Sequence, residues 1–362
     1  MRMLKSYFKN NKLIYSIYTI LTNRDYQLQK IRMKDSTIKS KEHIKEEMKM
    51  YSEYWGRPAH EYIRYGLFEK NLSKEEILDY IPSQFFYCNY LPISYKNVDV
   101  TPLDNKLMQY KMMKEASIPT PDILCIVRNK TIQTIDGKLL SFEYLKDSVK
   151  NGERLFIKPI DGRGGTGIIV LSKKDGVLIK KNCIVENIEM IGFDTLSVYE
   201  VQKGIVQHPD LSKINKDCLN TLRTIVQYRD GKTNIVGCVL RMGRKGAEVD
   251  NSAQGGISIG INLEDGSFKS PAIAEHGGET FFEHPDSGFL FNGNKLPNWE
   301  KIKEQMITEL SKMSVYNDLG WDIAITADGI VAIEFNFGYG IVHAQMCCGG
   351  LRRKLCAYPK GK

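Results

Sequence analysis

The stretch from Arg154 to Leu171, RLFIKPIDGRGGTGIIVL, constrains this chain more than any other. Leu155, Phe156 and Ile157 form one short apolar run and Ile168 to Leu171 another, so two strands are predicted to flank a loop with glycines at 162, 164, 165 and 167. Glycine reaches positive φ at no steric cost and lets backbone N–H groups approach an anion with no side chain in the way. Lys158, just before the turn, adds a compact positive charge. The letters fit G-x-G-x-x-G at 162, 164 and 167, but that fingerprint opens a helix, and Ile168-Ile169-Val170-Leu171 is apolar and mostly β-branched. A Walker A loop ends in Gly-Lys-Ser/Thr, and isoleucine follows Gly167. What remains is a glycine loop inside a hairpin, either a plain turn without a ligand or a flap over nucleotide phosphates.

The chain around it is long enough, at 362 residues with 42% hydrophobic and 26% charged, for two or three packed subdomains, and this composition excludes a disordered tail. Eight cysteines without a CxxC pair argue against a disulfide framework or a zinc site, so a reducing cytoplasm is expected. Six scattered histidines lack metal-ligand spacing. The net charge of +8 belongs to the N-terminus, where residues 1–50 hold 12 Lys+Arg against 5 Asp+Glu. No nucleic-acid partner is expected from a remainder that is nearly neutral. Leu13 to Leu21 is too short to span a membrane and no small-residue cleavage site follows it. Ile14, Ile17, Tyr18 and Leu21 recur at helical spacing behind Lys5, Lys9 and Lys12. Such a basic amphipathic helix either packs on its own protein or makes a peripheral contact with the inner, anionic face of a membrane.

Residues 36–80 read as helices broken near Gly56-Arg57-Pro58 and at Asn71-Leu72-Ser73, with Ser73 and Glu76 in the form of a capping box. Thr101-Pro102-Leu103-Asp104 reads as a helix start with threonine as N-cap, which puts Lys106 in the first turn. Beyond the glycine loop, Leu196 to Val201 is a predicted strand holding Glu200, and Gln207-His208-Pro209 a turn. Asn220 to Val226 and Ile235 to Leu240 are predicted strands that carry Arg223 and lead into Arg241. A half-buried arginine needs an anion, which either a ligand or a carboxylate of the protein supplies. The polar loop 249–256 follows, with Asp250 and Asn251. Trp321 to Thr326 and Ile330 to Asn336 then read as a hairpin turning near Asp328-Gly329. Glu334 and Asn336 share a face, roughly opposite Asp322, and two carboxylates with an amide oxygen suit magnesium. Paired acids also occur in glycosidases, but no sugar cleft is legible here.

Together these residues resemble the ATP-grasp superfamily, and more narrowly its sugar-transfer-associated branch found with surface-polysaccharide genes. The resemblance runs from about Tyr54 to Leu355 through LDNKLMQYKMMKEASIPTP, FIKPIDGRGGTGI, YEVQKGIVQHPDL, LNTLRTIV, VLRMGRKGAEVDNSAQGGI and WDIAITADGIVAIEFN. It implies an α+β ATP-grasp fold, two α+β subdomains clasping ATP, preceded by an N-terminal helical region over 1–100. A first part would span 101–205, with the glycine-hairpin lid at about 150–205, and a C-terminal subdomain with the metal site 206–362. The resemblance further implies that Lys106 and Lys158 contact ATP phosphates beneath the loop Gly162, Arg163, Gly164, Gly165, Thr166 and Gly167. Glu200, Val201 and Gln202 would read the adenine, with Gln207 at the ribose position. Asp322, Glu334 and Asn336 would hold two magnesium ions, with manganese as a substitute. Arg223 and Arg241 would neutralise the transferring phosphoryl group and the acyl phosphate, while Asp250 and Asn251 line the acceptor side. The implied activity is ATP-dependent carboxylate–amine ligation through an acyl phosphate in cell-surface polysaccharide synthesis, joining an amino acid to a sugar acid or another amino acid, or acting on a nucleotide- or lipid-linked sugar. The rivals are a phosphotransferase of the same fold and a non-catalytic scaffold for a glycosyltransferase complex.

Overall fold

A computed structural model describes residues 17, 21, 24–35, 38–162, 164–194, 196–247, 250, 255–274 and 279–359. The proposed basic helix of residues 5–21 lies outside them except for Ile17 and Leu21, both helical and exposed. Helices α1 (Arg24–Asp35) and α2 (Lys41–Trp55) open the described chain. The Ser40 hydroxyl accepts from the His43 N–H to start α2, and Gly56 at φ 58° ends it. Ser73 and Glu76 form a reciprocal capping box on the short helix Lys74–Leu78.

The helix predicted to start at Thr101 starts later. Thr101–Asp104 is a single 3-10 turn, and the extended Asn105 caps α3 (Lys106–Glu115) by accepting from the Met108 N–H. Asparagine is the better cap, and the Lys106 N–H is drawn into a 2.8 Å bond to the Ile160 carbonyl at the base of the glycine hairpin. Lys106 therefore stands at the first helical position.

Eight strands form an antiparallel sheet in the order β3-β2-β1-β8-β4-β5-β6-β7: β1 (Ile123–Arg128), β2 (Thr131–Gln133), β3 (Leu139–Leu140), β4 (Arg154–Pro159), β5 (Ile169–Lys174), β6 (Val177–Lys180), β7 (Cys183–Val185) and β8 (Val198–Lys203). β4 and β5 are the hairpin arms, and β8 lies two residues later than its apolar pattern suggested. Seven strands form a second antiparallel sheet in the order β13-β12-β11-β10-β9-β14-β15: β9 (Thr221–Arg229), β10 (Lys232–Met242), β11 (Ile257–Ile261), β12 (Phe268–Ala274), β13 (Thr280–Phe281), β14 (Asp318–Ile325) and β15 (Ile330–Asn336). Helices α4 (Trp299–Leu310) and α5 (Ile341–Cys348) pack on it.

Two apolar cores result. One lies within the first sheet, around Leu155, Ile157, Leu171, Tyr199 and Val201. The other is continuous from the N-terminal helices (Tyr51, Tyr62, Phe68, Phe86) into the second sheet (Leu222, Trp321, Phe335). The carboxamide of Gln345 on α5 seals that junction, accepting from the Ile81 N–H at 2.8 Å and donating to the Ile81 carbonyl at 2.9 Å. Gly320 permits a close approach in the second sheet: a Cβ would stand 2.2 Å from the Tyr339 Cβ. Among the described residues no helix is long and apolar enough to cross a membrane.

Candidate functional site

Strand register places the polar residues of the second sheet on one face. Asp322 on β14 pairs with Glu334 on β15 and with Arg223 on β9, and Arg241 on β10 pairs with Thr221 on β9. Residues two apart on a strand share a face, so Thr221 joins Arg223, and Asn336 joins Glu334. The alternate residues Leu222, Ile323 and Phe335 enter the core. A one-residue slip of any of these strands would send its charges into that core.

The charges on this face are tightly paired. Arg223 donates to Asp322 through Nε at 2.5 Å and through an η nitrogen at 3.0 Å, and Arg241 approaches the same carboxylate at 3.1 Å. Arg241 also donates to the Thr221 hydroxyl at 2.8 Å, and that hydroxyl donates to Asp250. Asp250 further accepts from the Thr221 N–H at 3.0 Å. Burial is the largest influence on Asp322 and pushes its pKa up, but Arg223 and Arg241 outweigh it and hold the carboxyl well below the usual range. For Arg241 burial acts downward, and Asp322 with Asp250 overcomes it. Burial dominates at Asp250 and raises it.

The first sheet supplies the facing wall. Lys158 on β4 pairs with Glu200 on β8 and donates to Gln202 Oε1 at 2.8 Å. Burial lowers the Lys158 pKa and raises that of Glu200. Lys106 bridges the two walls, donating to the Gly162 carbonyl at 2.7 Å and pairing with Glu334 at 3.0 Å. Burial pulls its pKa down, and Glu334 reverses that. The two sheets enclose a cleft of about 690 Å³, within the usual size of a ligand site. Gly162, Gly164, Gly165 and Thr166 line it. Gly164, Gly165 and Gly167 lie at φ 63°, 71° and 78°, where a side chain would be strained.

Lys106, Lys158, Gln202, Arg223, Arg241, Asp250, Asp322, Glu334 and Asn336 therefore surround one space. Arg163 and Asn251 lie outside the described residues. Val201 points into the core of the first sheet, which leaves only its backbone for a nucleotide. Gln207 is not among the residues that line the cleft: its carboxamide donates to the Asn215 and Cys218 carbonyls and accepts from Asn220. The sequence reading missed Phe156, Thr221, Tyr87, Phe337 and His343, which also line the cleft. Strand alternation from Arg223 pointed to Thr221; no sequence signal marked Tyr87 or His343.

The donors fit the groups that such a cleft implies. Asp322, Glu334 and Asn336 offer oxygen only, as a hard divalent cation requires. Among the described residues no group of three or more His, Cys, Asp or Glu is placed to hold a metal ion, and at this site the third donor is the amide of Asn336. Glu200 shares the face of β8 with Gln202 but is buried and does not itself line the cleft; its Oε2 has no hydrogen-bond partner among the described residues, as an acceptor for an N–H donor such as an adenine amino group would.

The profile of the family described as sugar-transfer associated ATP-grasp matches residues 86–357. No curated protein matches. Among solved structures, D-alanyl-alanine synthetase A from Vibrio cholerae is 15% identical with a TM-score of 0.39, covering 68% of this chain and 59% of that one. D-alanine–D-alanine ligase from Bacillus anthracis is 14% identical with a TM-score of 0.34, covering 65% and 56%. The ATP-grasp ligase PsnB, complexed with minimal precursor, Mg and ADP, is 14% identical with a TM-score of 0.38, covering 74% and 60%. This chain thus spans less than two thirds of the length of each of these three.

Proposed function

The chain belongs to the sugar-transfer associated ATP-grasp family, and from that membership and the charge arrangement of its cleft we propose that it is an ATP-dependent carboxylate–amine ligase. The observation that carries this reading is the single space in which Lys106 and Lys158 face Asp322, Glu334 and Asn336, with Arg223 and Arg241 beside them. A binding scaffold without turnover has no need of all these groups together.

A carboxylate is a poor electrophile. Its oxygen attacks the γ-phosphorus of ATP, the bond to the β–γ bridging oxygen breaks, and ADP leaves with that electron pair. An amine then attacks the acyl carbon of the acyl phosphate. The C–O bond to phosphate breaks, and the amine proton leaves with the departing phosphate. Lys106 and Lys158 bind and orient the phosphates, and Arg223 and Arg241 balance charge on the transferring group. Glu200 accepts from the adenine amino group. The hairpin Gly162–Gly167 excludes water that would hydrolyse the intermediate. Asp322, Glu334 and Asn336 would hold magnesium, which when bound offsets charge on the phosphate oxygens. For this the cations now paired with Asp322 and Glu334 must turn toward the nucleotide.

The acid and amine belong, on this reading, to cell-surface polysaccharide synthesis, in the cytoplasm or at the inner membrane face. A basic N-terminal segment and the exposed Ile17 and Leu21 support the peripheral contact. Full-length protein that fails to bind anionic liposomes, or a chain beginning at residue 24 that binds them equally well, removes that part.

Phosphate and ADP release from magnesium ATP, measured over a panel of sugar acids and amino acids with hydroxylamine present, tests the chemistry. A carboxylate-dependent hydroxamate with ADP as co-product is expected. ADP formation with phosphate transferred to a hydroxyl acceptor and no hydroxamate replaces the ligase by a phosphotransferase.

A further inference from the structure

The end of the cleft beyond Asn336 is not used by the nucleotide chemistry above. It is walled by Tyr87 and Leu91 from the N-terminal helices and by Phe337, Gly338 and His343 from the segment after β15. Tyr87 lies in a π-helical turn, Phe86–Tyr90, a geometry found mostly at functional sites. Its ring edge packs on Gly338, where a Cβ would stand 3.7 Å from Tyr87 Cε1.

This wall is built rather than incidental. Asp318 lies on β14 four residues before Asp322 and is fully buried. Its carboxylate accepts from the Tyr90 hydroxyl at 3.0 Å, the Ser94 hydroxyl at 3.1 Å and the Tyr339 hydroxyl at 2.9 Å. One side chain of the strand that carries Asp322 thus pins both segments. Phe86 packs edge-on against Tyr339, and Tyr95 against Phe337, on the outer side of the wall. The half-buried faces of Tyr87 and Phe337 remain at the cleft.

Neither segment, 87–91 or 337–344, contains a lysine, an arginine or a carboxylate. An acceptor bearing its own carboxylate or diphosphate would meet no lysine or arginine of these two segments, only the imidazole of His343, and burying an unpaired anion is costly. Aromatic faces suit instead the apolar face of a ring, and a protonated amine is attracted to them further.

We infer that this end of the cleft takes the nucleophile of the ligation, and that the nucleophile is an amine carried on a sugar-like ring without an anionic group. The inference rests on the ligase reading and narrows it: free amino acids and nucleotide-linked sugars are excluded as acceptors. Tyr87 and Phe337 are the specificity-determining residues, and Asp318 is a positioning residue.

The test uses full-length protein saturated with magnesium and a non-hydrolysable ATP analogue, titrated calorimetrically with glucosamine and galactosamine and, separately, with glycine and alanine. The amino sugars are expected to bind. Tyr87→Ala, which removes a ring face, and Gly338→Val, which crowds the space beside it, are each expected to weaken that binding by roughly tenfold. Affinity for the analogue should stay within about twofold of the parent, which separates a lost subsite from a lost fold. Binding of glycine or alanine in place of the amino sugars would overturn the inference. So would binding of neither class, or amino-sugar binding that both variants leave unchanged. Failure of the analogue itself to bind removes the ligase reading instead, and the inference with it.

Discussion

Replacing Asp322 by asparagine keeps its shape and removes a buried charge on which two half-buried arginines depend. Three contacts go with it, from Arg223 at 2.5 and 3.0 Å and from Arg241 at 3.1 Å. Hydrogen bonds to charged groups contribute about 1.5–3 kcal/mol each, but these share one carboxylate and do not add. The better guide is the loss of one partner from a buried ion pair, about 3–5 kcal/mol, because the remaining charge is left uncompensated. Asparagine still offers one acceptor oxygen, which puts Asp322→Asn at about 3 kcal/mol, a fall in midpoint of about 6–12 °C for a body that melts like a domain of 150–250 residues. Thermal unfolding followed by circular dichroism measures this. Inorganic phosphate should restore more stability to the variant than to the parent, since it binds the released guanidinium groups only in the folded chain. The pH dependence has a definite sign. Folding lowers the Asp322 pKa, so its contribution is complete above the unfolded value of about 3.9 and is lost as pH falls below it. The stability gap between parent and variant should therefore be flat at neutral pH and close only in acid. Equal midpoints at neutral pH, with no difference in the response to phosphate, would refute the reasoning.

Asp322→Asn should also abolish ADP formation in the turnover assay. Lys106→Met and Lys158→Met should each lower turnover on the order of a hundredfold while the protein stays folded, read from ADP release at saturating magnesium ATP. Gly167→Val places a branched residue at φ 78° with its Cβ 3.0 Å from Pro159 Cγ, so the hairpin should be strained by about 1–3 kcal/mol and water should enter. An ADP-forming rate uncoupled from product is the expected signature. Gly320→Ala drives a methyl against Tyr339 and should destabilise the shared core by about 1–3 kcal/mol or more, seen as a lower denaturant midpoint. Glu61 is fully buried; burial pushes its pKa up most strongly, yet Arg64, His60 and the Ser83 hydroxyl bring it down to about 2. Its contribution is present above about pH 4.3 and is lost between there and about 2, so Glu61→Gln should be weaker at neutral pH and lack that step in acid titration.

Local chemistry was legible in the sequence because it is written in neighbouring residues. Four glycines between two apolar runs specify a hairpin with open amides whatever surrounds it, and Ser73 with Glu76 specifies a cap. Asp322, Glu334 and Asn336 follow from the two-residue strand repeat about a short turn, and the structure pairs Asp322 with Glu334. Where two local signals competed, the reading slipped: Asn105 took the cap that Thr101 also offered, since a backbone bond to Ile160 decides where α3 begins.

Only the tertiary structure decided which charges meet. Arg223 and Asp322 stand 99 positions apart, and nothing in either segment says that β9 lies beside β14. The sequence left each arginine open between a ligand and a carboxylate of the protein; sheet order gave both to Asp322. Gln207, placed at the ribose by resemblance, was claimed by the backbone of residues 215–220, because a turn must satisfy its own polar groups. The aromatic end of the cleft had no sequence signature, since Tyr87 and Phe337, 250 residues apart, come to line one cleft only after the N-terminal helices join the core of the second sheet. Periodicity and turn chemistry act over a few residues; long-range strand order and shared cores assemble the rest of the site.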